Sequence, residues 1–166
     1  SVKGRKTNGV GKSMSIEFLD FGFLNDYEKS RIAKIPKEVF PLEENVILDL
    51  DIGDEAITIK RNRKQADQPV IIREGRTVSF DKLQDAREYL TGLIFPKLNG
   101  KKVPSFRNLF SILMRDERSE FTDIIKCHDL TKKIPDDLSA HLFLLGFSLE
   151  AYKNTLETIK EIEAVN

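Results

Sequence analysis

Residues 6–18 read KTNGVGKSMSIEF. The first half is polar and glycine-rich, and the second half, from Met14 through Ile16 to Phe18, is apolar at helical spacing. A phosphate-holding loop needs glycines, so that the backbone can curl with several N–H groups pointing inward. It also needs a Lys that reaches the β- and γ-phosphates and a Ser or Thr hydroxyl for Mg²⁺. A helix should follow at once, presenting its positive end to the anion. Here Gly9 and Gly11 bracket Val10, Lys12 and Ser13 follow, and the helical pattern begins directly. The full pattern G-x-x-x-x-G-K-[ST] asks for a glycine at position 6, where the chain has Lys6. That first glycine ends the preceding strand, whereas the phosphate-holding amides come later. Its loss therefore bears on the turn more than on the cradle. Two readings stay open: a phosphate site built from Asn8, Gly9, Val10, Gly11, Lys12, Ser13 and Met14, or an ordinary turn and helix cap.

Beyond Ser13, Met14, Ile16, Phe18, Leu19, Phe21, Phe23 and Leu24 surround nearly the whole helix, which predicts burial on all sides. Pro36 and Pro41 break the next stretch into an irregular connection. In VILDLDIGDEAITIKRN, Val46, Leu48, Leu50 and Ile52 alternate with polar neighbours, Gly53-Asp54 turns the chain, and Ile57 and Ile59 alternate again. That is a hairpin with one buried face. PVIIREGRTVSF repeats the theme around Glu74-Gly75, so four short strands form an antiparallel meander. Asp81 is placed to cap a helix bearing Leu83, Ala86, Leu90 and Leu93. Pro104 suits the first position of a helix striped by Phe106, Leu109, Phe110 and Leu113. Asp136 or Asp137 starts another, running to Gly146. Leu149, Tyr152, Leu156 and Ile159 then recur at spacings of three and four, which is a coiled-coil seam over two heptads.

The totals narrow the class. With 166 residues, 40% hydrophobic and 33% charged, the chain has material for one compact domain and reads as a soluble globular protein rather than a disordered or membrane one. Lys+Arg and Asp+Glu both number 27, so net charge alone gives no case for nucleic acid. One cysteine, Cys127, cannot form an internal disulfide and fits a reducing, cytoplasmic compartment. No apolar run is long enough for a membrane span. The chain opens without Met and closes inside a helical pattern, so both ends read as cut from a longer protein.

TNGVGKSMSIEFLDFGFL, residues 7–24, resembles the P-loop and first helix of SMC-like ABC ATPases. Those proteins run Asn-Gly-x-Gly-Lys-Ser into a helix of this kind. PSFRNLFSILMRDERSEF at 104–121 and LSAHLFLLGFSLEAY at 138–152 are similar to an uncharacterised bacterial branch associated with ABC-three-component systems. The resemblance implies an α/β, α+β-like fragment: a P-loop helix, an antiparallel meander and several helices, forming half of an ATPase head. Residues 1–147 would be the amino-terminal lobe and 148–166 the start of a coiled-coil helix. It also implies ATP and Mg²⁺ as ligands, Lys12 as the catalytic cation and Ser13 as the metal ligand. The remaining machinery would lie in a second lobe, and two heads would meet as a homodimer, so the fragment alone is expected to be inactive.

Other patterns lead elsewhere. VILDLDIGDE has the composition of a Walker B strand, but strict alternation marks one wet face, and Asp51, Asp54 and Glu55 read as hairpin residues. Cys127 and His128 lack further ligands at metal spacing, and His141 lies in an apolar helix. KRNRK at 60–64 reads as a solvated hairpin connection, with contact to a DNA backbone as the alternative. Gln65, Gln68 and Gln84 supply no context that assigns the glutamine such heads place near Mg²⁺. The competing functional class is a non-catalytic protein-interaction module in which Lys6 marks a degenerate loop.

Overall fold

Alternation decides the central sheet. In the computed structural model, which describes residues 10–96, 104–114 and 138–165, strands β1 (Asn45–Ile52), β2 (Glu55–Asn62), β3 (Val70–Arg73) and β4 (Arg76–Ser79) form one antiparallel sheet in sequential order. The register pairs Leu48 with Ile59 and Leu50 with Ile57, while Ile59 also faces Ile71. One face therefore collects Ile57, Ile59 and Ile71, all almost completely buried. The turns follow their residues. Gly53 takes a positive φ at the first central position of β1–β2, as a type II′ hairpin requires. Glu74 and Gly75 both have positive φ between β3 and β4, the type I′ pattern, here with a glutamate where Asn is usual.

Helix α1 (Val10–Gly22) lies on the buried face of this sheet. Its close approach is set by Gly22, where an added Cβ would come within 3.2 Å of Leu48. Two short 3-10 turns, Tyr27–Lys29 and Arg31–Lys34, return the chain past α1. Phe21, Ile32 and Ala66 form a core cluster there, flanked by Phe18, Tyr27, Ile35, Phe40 and Val46. Phe18 meets Phe40 edge-on, with centroids 5.4 Å apart. The expectation that α1 is buried all round does not hold: Leu19 is 42% exposed and Ser15 is exposed. The sheet and the 3-10 turns cover one side of the helix only.

Helix α2 (Leu83–Ile94) buries Leu83, Ala86 and Leu90. Lys82, not Asp81, occupies its N-cap position, without a side-chain cap bond. The contacts divide the chain into two units, Ser1–Pro96 and Lys97–Asn166. In the second, α3 (Phe106–Leu113) is capped by the Ser105 hydroxyl, which accepts from the Asn108 amide, so Pro104 precedes the cap. Phe106 and Phe110 stack at 5.4 Å on its buried stripe. Helix α4 (Ser139–Leu144) ends at Gly146, whose φ of 80° lets the chain turn into α5 (Leu149–Val165). The architecture is thus mixed: among the described residues, five α-helices and one four-stranded antiparallel sheet. Asp136 and Asp137, expected to open α4, lie outside the described residues.

Candidate functional site

The helical pattern after Ser13 reaches back further than spacing alone suggests. α1 begins at Val10, so Gly11, Lys12 and Ser13 form its first turn. The opening N–H groups of a helix have no partner within the helix, and its dipole is positive there. A first turn commonly carries Asp or Glu to answer that charge, and α1 has none. Gly11 is exposed, helical, and a Cβ added to it would meet no atom within 4 Å. Among the described residues nothing asks for glycine at this position, although glycine costs about 1 kcal/mol relative to alanine inside a helix. Ser13 is half-buried, Met14 is half-buried, and the Ser15 hydroxyl donates to the Gly11 carbonyl at 3.0 Å. Asn8 and Gly9 lie outside the described residues, as do the side chains of Val10 and Lys12.

One turn further along, Glu17 is only 4% exposed. Its carboxylate accepts from the Ser30 hydroxyl at 3.2 Å and from the Arg31 amide at 3.0 Å, with the Arg31 Nε at 3.5 Å. Sequence reading passed over this residue. A lone acid between Ile16 and Phe18 in an apolar helix was the available signal, because a buried carboxylate needs donors.

The far end of α1 is held by arginines. Arg61, 1% exposed, donates to the carbonyls of Ala66 at 2.5 Å, Phe21 at 2.8 Å and Asn25 at 2.6 Å, with its guanidinium 4.1 Å from the Phe21 ring centroid. Arg87 donates twice to the Leu24 carbonyl, at 2.9 and 2.7 Å. Leu24 itself sits at φ 63°, the left-handed residue that ends the helix. Arg63, 6% exposed, donates to the carbonyls of Phe40 at 2.6 Å and Ile35 at 2.7 Å. The reading of KRNRK as a solvated connection is therefore overturned at Arg61 and Arg63. Both continue the buried parity of Ile57 and Ile59, and their guanidiniums are committed to main-chain oxygens. Lys60–Asn62 belong to β2 itself, and a phosphate backbone would not find these two arginines at the surface.

Asp26 joins this network through Arg87, at 2.7 Å, and Lys29. Burial alone raises its carboxyl, but hydrogen bonds from Lys29 and Arg87 and their charges outweigh that and hold it at about 2, down from 3.8. A lowered carboxyl stabilises the fold above its unfolded value and loses that contribution as pH falls through its folded value. The side chain is 38% exposed, so solvent screening reduces the contribution to about 1 kcal/mol. Asp26→Asn is thus expected to cost about 1 kcal/mol near neutral pH, in urea unfolding. The gap to wild type should close between about pH 4 and about pH 2; a gap that persists below that would show the ion pairs are not its source.

The remaining sequence candidates disperse. β1 is an edge strand with one half-buried face; Asp49 accepts from the Thr58 hydroxyl at 2.6 Å, Asp51 and Asp54 are exposed, and Glu55 accepts from the Nε and Nη2 of Arg73 at 2.5 and 2.7 Å. Gln65, Gln68 and Gln84 are exposed, and Gln84 donates to Glu88 at 2.9 Å. His141 is half-buried, while Cys127 and His128 lie outside the described residues. Among the described residues, no cluster of His, Cys, Asp or Glu could hold a metal ion, and no helix is long and apolar enough to cross a membrane. No family model, curated protein or solved structure matches the chain.

Proposed function

We propose that the chain is the nucleotide-binding amino-terminal lobe of an SMC-like ATPase head. The observation that carries this reading is Gly11 in the first turn of α1: a helical glycine in open space, with no acid in that turn. A missing Cβ that packing does not require is what an incoming phosphate would need. On this reading the amides of Asn8 to Ser13 surround the triphosphate, Lys12 neutralises charge on its β- and γ-phosphates, and Met14 lies beside it. The Ser13 hydroxyl, in the same turn, would ligate the Mg²⁺ that neutralises the phosphates. An antiparallel meander packed on the P-loop helix is compatible with such a head. Hydrolysis would draw a carboxylate from a second lobe and a signature motif from a partner head, and the setting would be cytoplasmic. The 166 residues alone are accordingly expected to turn over ATP far below about 1 s⁻¹, the low end of ordinary enzyme rates. Ordinary turnover by the purified chain would contradict the division of labour.

Gly11→Ala separates this reading from a plain helix cap. Alanine should stabilise α1 by up to about 1 kcal/mol, since no atom of the described residues obstructs the new methyl. If a phosphate docks there, the same methyl should lower MgATP affinity about tenfold or more, measured by titration calorimetry on the intact protein. A variant that gains stability and binds MgATP as wild type does would remove the phosphate site. It would leave the second reading, an interaction module, which the exposed Leu156 and Ile159 on α5 favour independently.

A further inference from the structure

The core-facing stripe of α1 changes chemistry along its length. Ser13, Glu17, Phe21 and Leu24 follow one another at spacings of four, four and three, so they share a face of the chain as it leaves the helix start. At the far end that face is apolar, with Phe21 and Leu24 fully buried. Towards the start it is polar, with Glu17 buried and Ser13 half-buried. A buried carboxylate is costly unless donors meet it, and apolar residues of like volume often serve a core as well or better. Packing alone therefore does not call for an acid here.

Donors that meet it come from one short segment. The Ser30 hydroxyl and the Arg31 amide reach the same oxygen, Oε2, at 3.2 and 3.0 Å, and the Arg31 Nε lies 3.5 Å from Oε1. Ser30 also caps the second 3-10 turn, its hydroxyl accepting from the Ile32 amide at 3.2 Å. That turn is fastened separately to the sheet. Arg63, directly after β2, donates to the Ala33 carbonyl at 3.4 Å and to the Ile35 carbonyl at 2.7 Å. Sheet, turn and α1 are thus joined in series through Glu17. A carboxylate held in this way fixes the rotation of α1 about its own axis. Ser13, about one helical turn away, takes its direction from that rotation.

Resting on the phosphate-site reading above, we propose that Glu17 is a positioning residue: held by Ser30 and Arg31, it sets the rotation of α1 and so aims the Ser13 hydroxyl at the magnesium of bound MgATP. Its signature lies in the part of nucleotide affinity that depends on magnesium. Titration calorimetry on the intact protein, with MgATP and with ATP in EDTA, gives that part as a ratio of two dissociation constants. Wild type should bind MgATP at least about tenfold tighter than metal-free ATP. Ser30→Ala and Glu17→Met should each cut that ratio to below about threefold, with affinity for metal-free ATP kept within about twofold of wild type. Glu17→Gln, which keeps an oxygen for Ser30 and Arg31, should restore the ratio. Ser30→Ala lies outside α1 and removes one hydroxyl, so it carries the test where Glu17→Met fails to fold. A wild-type ratio near one would overturn the proposal. So would Ser30→Ala and Glu17→Met variants that keep the wild-type ratio, or that lose affinity for both forms alike; a merely structural tie gives the latter. Those results would leave nucleotide binding itself standing. A wild type that binds neither form would overturn the phosphate site, and the proposal with it.

Discussion

Arg61→Met is expected to destabilise the first unit by about 3–5 kcal/mol, the largest loss from any single side chain in the sheet–helix core. The methionine would keep much of the stem's packing on Phe21 while removing every donor. Three carbonyls, those of Phe21, Asn25 and Ala66, would then be left buried without the guanidinium that satisfies them. Each such acceptor costs about 1–3 kcal/mol when it is left dry. The charge matters as well, because the guanidinium sits at the negative end of α1 and over the face of Phe21 at 4.1 Å. Arg61→Lys should recover only part of the loss, since an ammonium cannot reach three oxygens in the planar geometry of the fork. Urea unfolding decides the matter. A loss below about 1 kcal/mol for Arg61→Met would mean that water reaches those carbonyls and the clamp is not structural.

Lys12→Ala is expected to lower MgATP affinity about 10- to 100-fold in the intact protein, while leaving stability within about 0.5 kcal/mol of wild type. The first figure follows from removing a charge-assisted contact to phosphate. The second follows from where α1 is fastened: Glu17 holds its middle, and Arg61 and Arg87 hold its far end. None of those ties passes through the first turn. An unchanged affinity would favour the interaction module. A large stability loss would instead make Lys12 part of the fold.

Strand parity was the most legible feature of the chain. Val46 to Ile52 and Ile57, Ile59 placed both strands of the first hairpin and its turn correctly, because one buried face imposes a period of two. The same parity runs on through Arg61 and Arg63, yet their charge suggested solvent. Face is decided by position on the strand, and a guanidinium can follow an aliphatic stem inward when carbonyls await it. Glu17 was missed for the mirror-image reason: its donors, Ser30 and Arg31, come from a segment whose path spacing does not reveal. α1 was recognised as a helix, but its composition overstated its burial, since the sheet and two 3-10 turns cover one side. Helix starts slipped by one position at Lys82 and by two at Phe106, where local side-chain geometry rather than residue type settles the boundary. The phosphate loop is a proposal that rests on residue chemistry. Beside it stand a helix start at Val10, a first turn without an acid and, at Gly11, a glycine that the described residues do not require for packing.

The most direct measurement is a crystal structure of the intact protein with magnesium and a non-hydrolysable ATP analogue. The account predicts triphosphate oxygens within about 3 Å of the amides between Gly9 and Ser13, with the Ser13 hydroxyl on the metal. A nucleotide seated elsewhere, or that loop closed and empty beside saturating analogue, would contradict it.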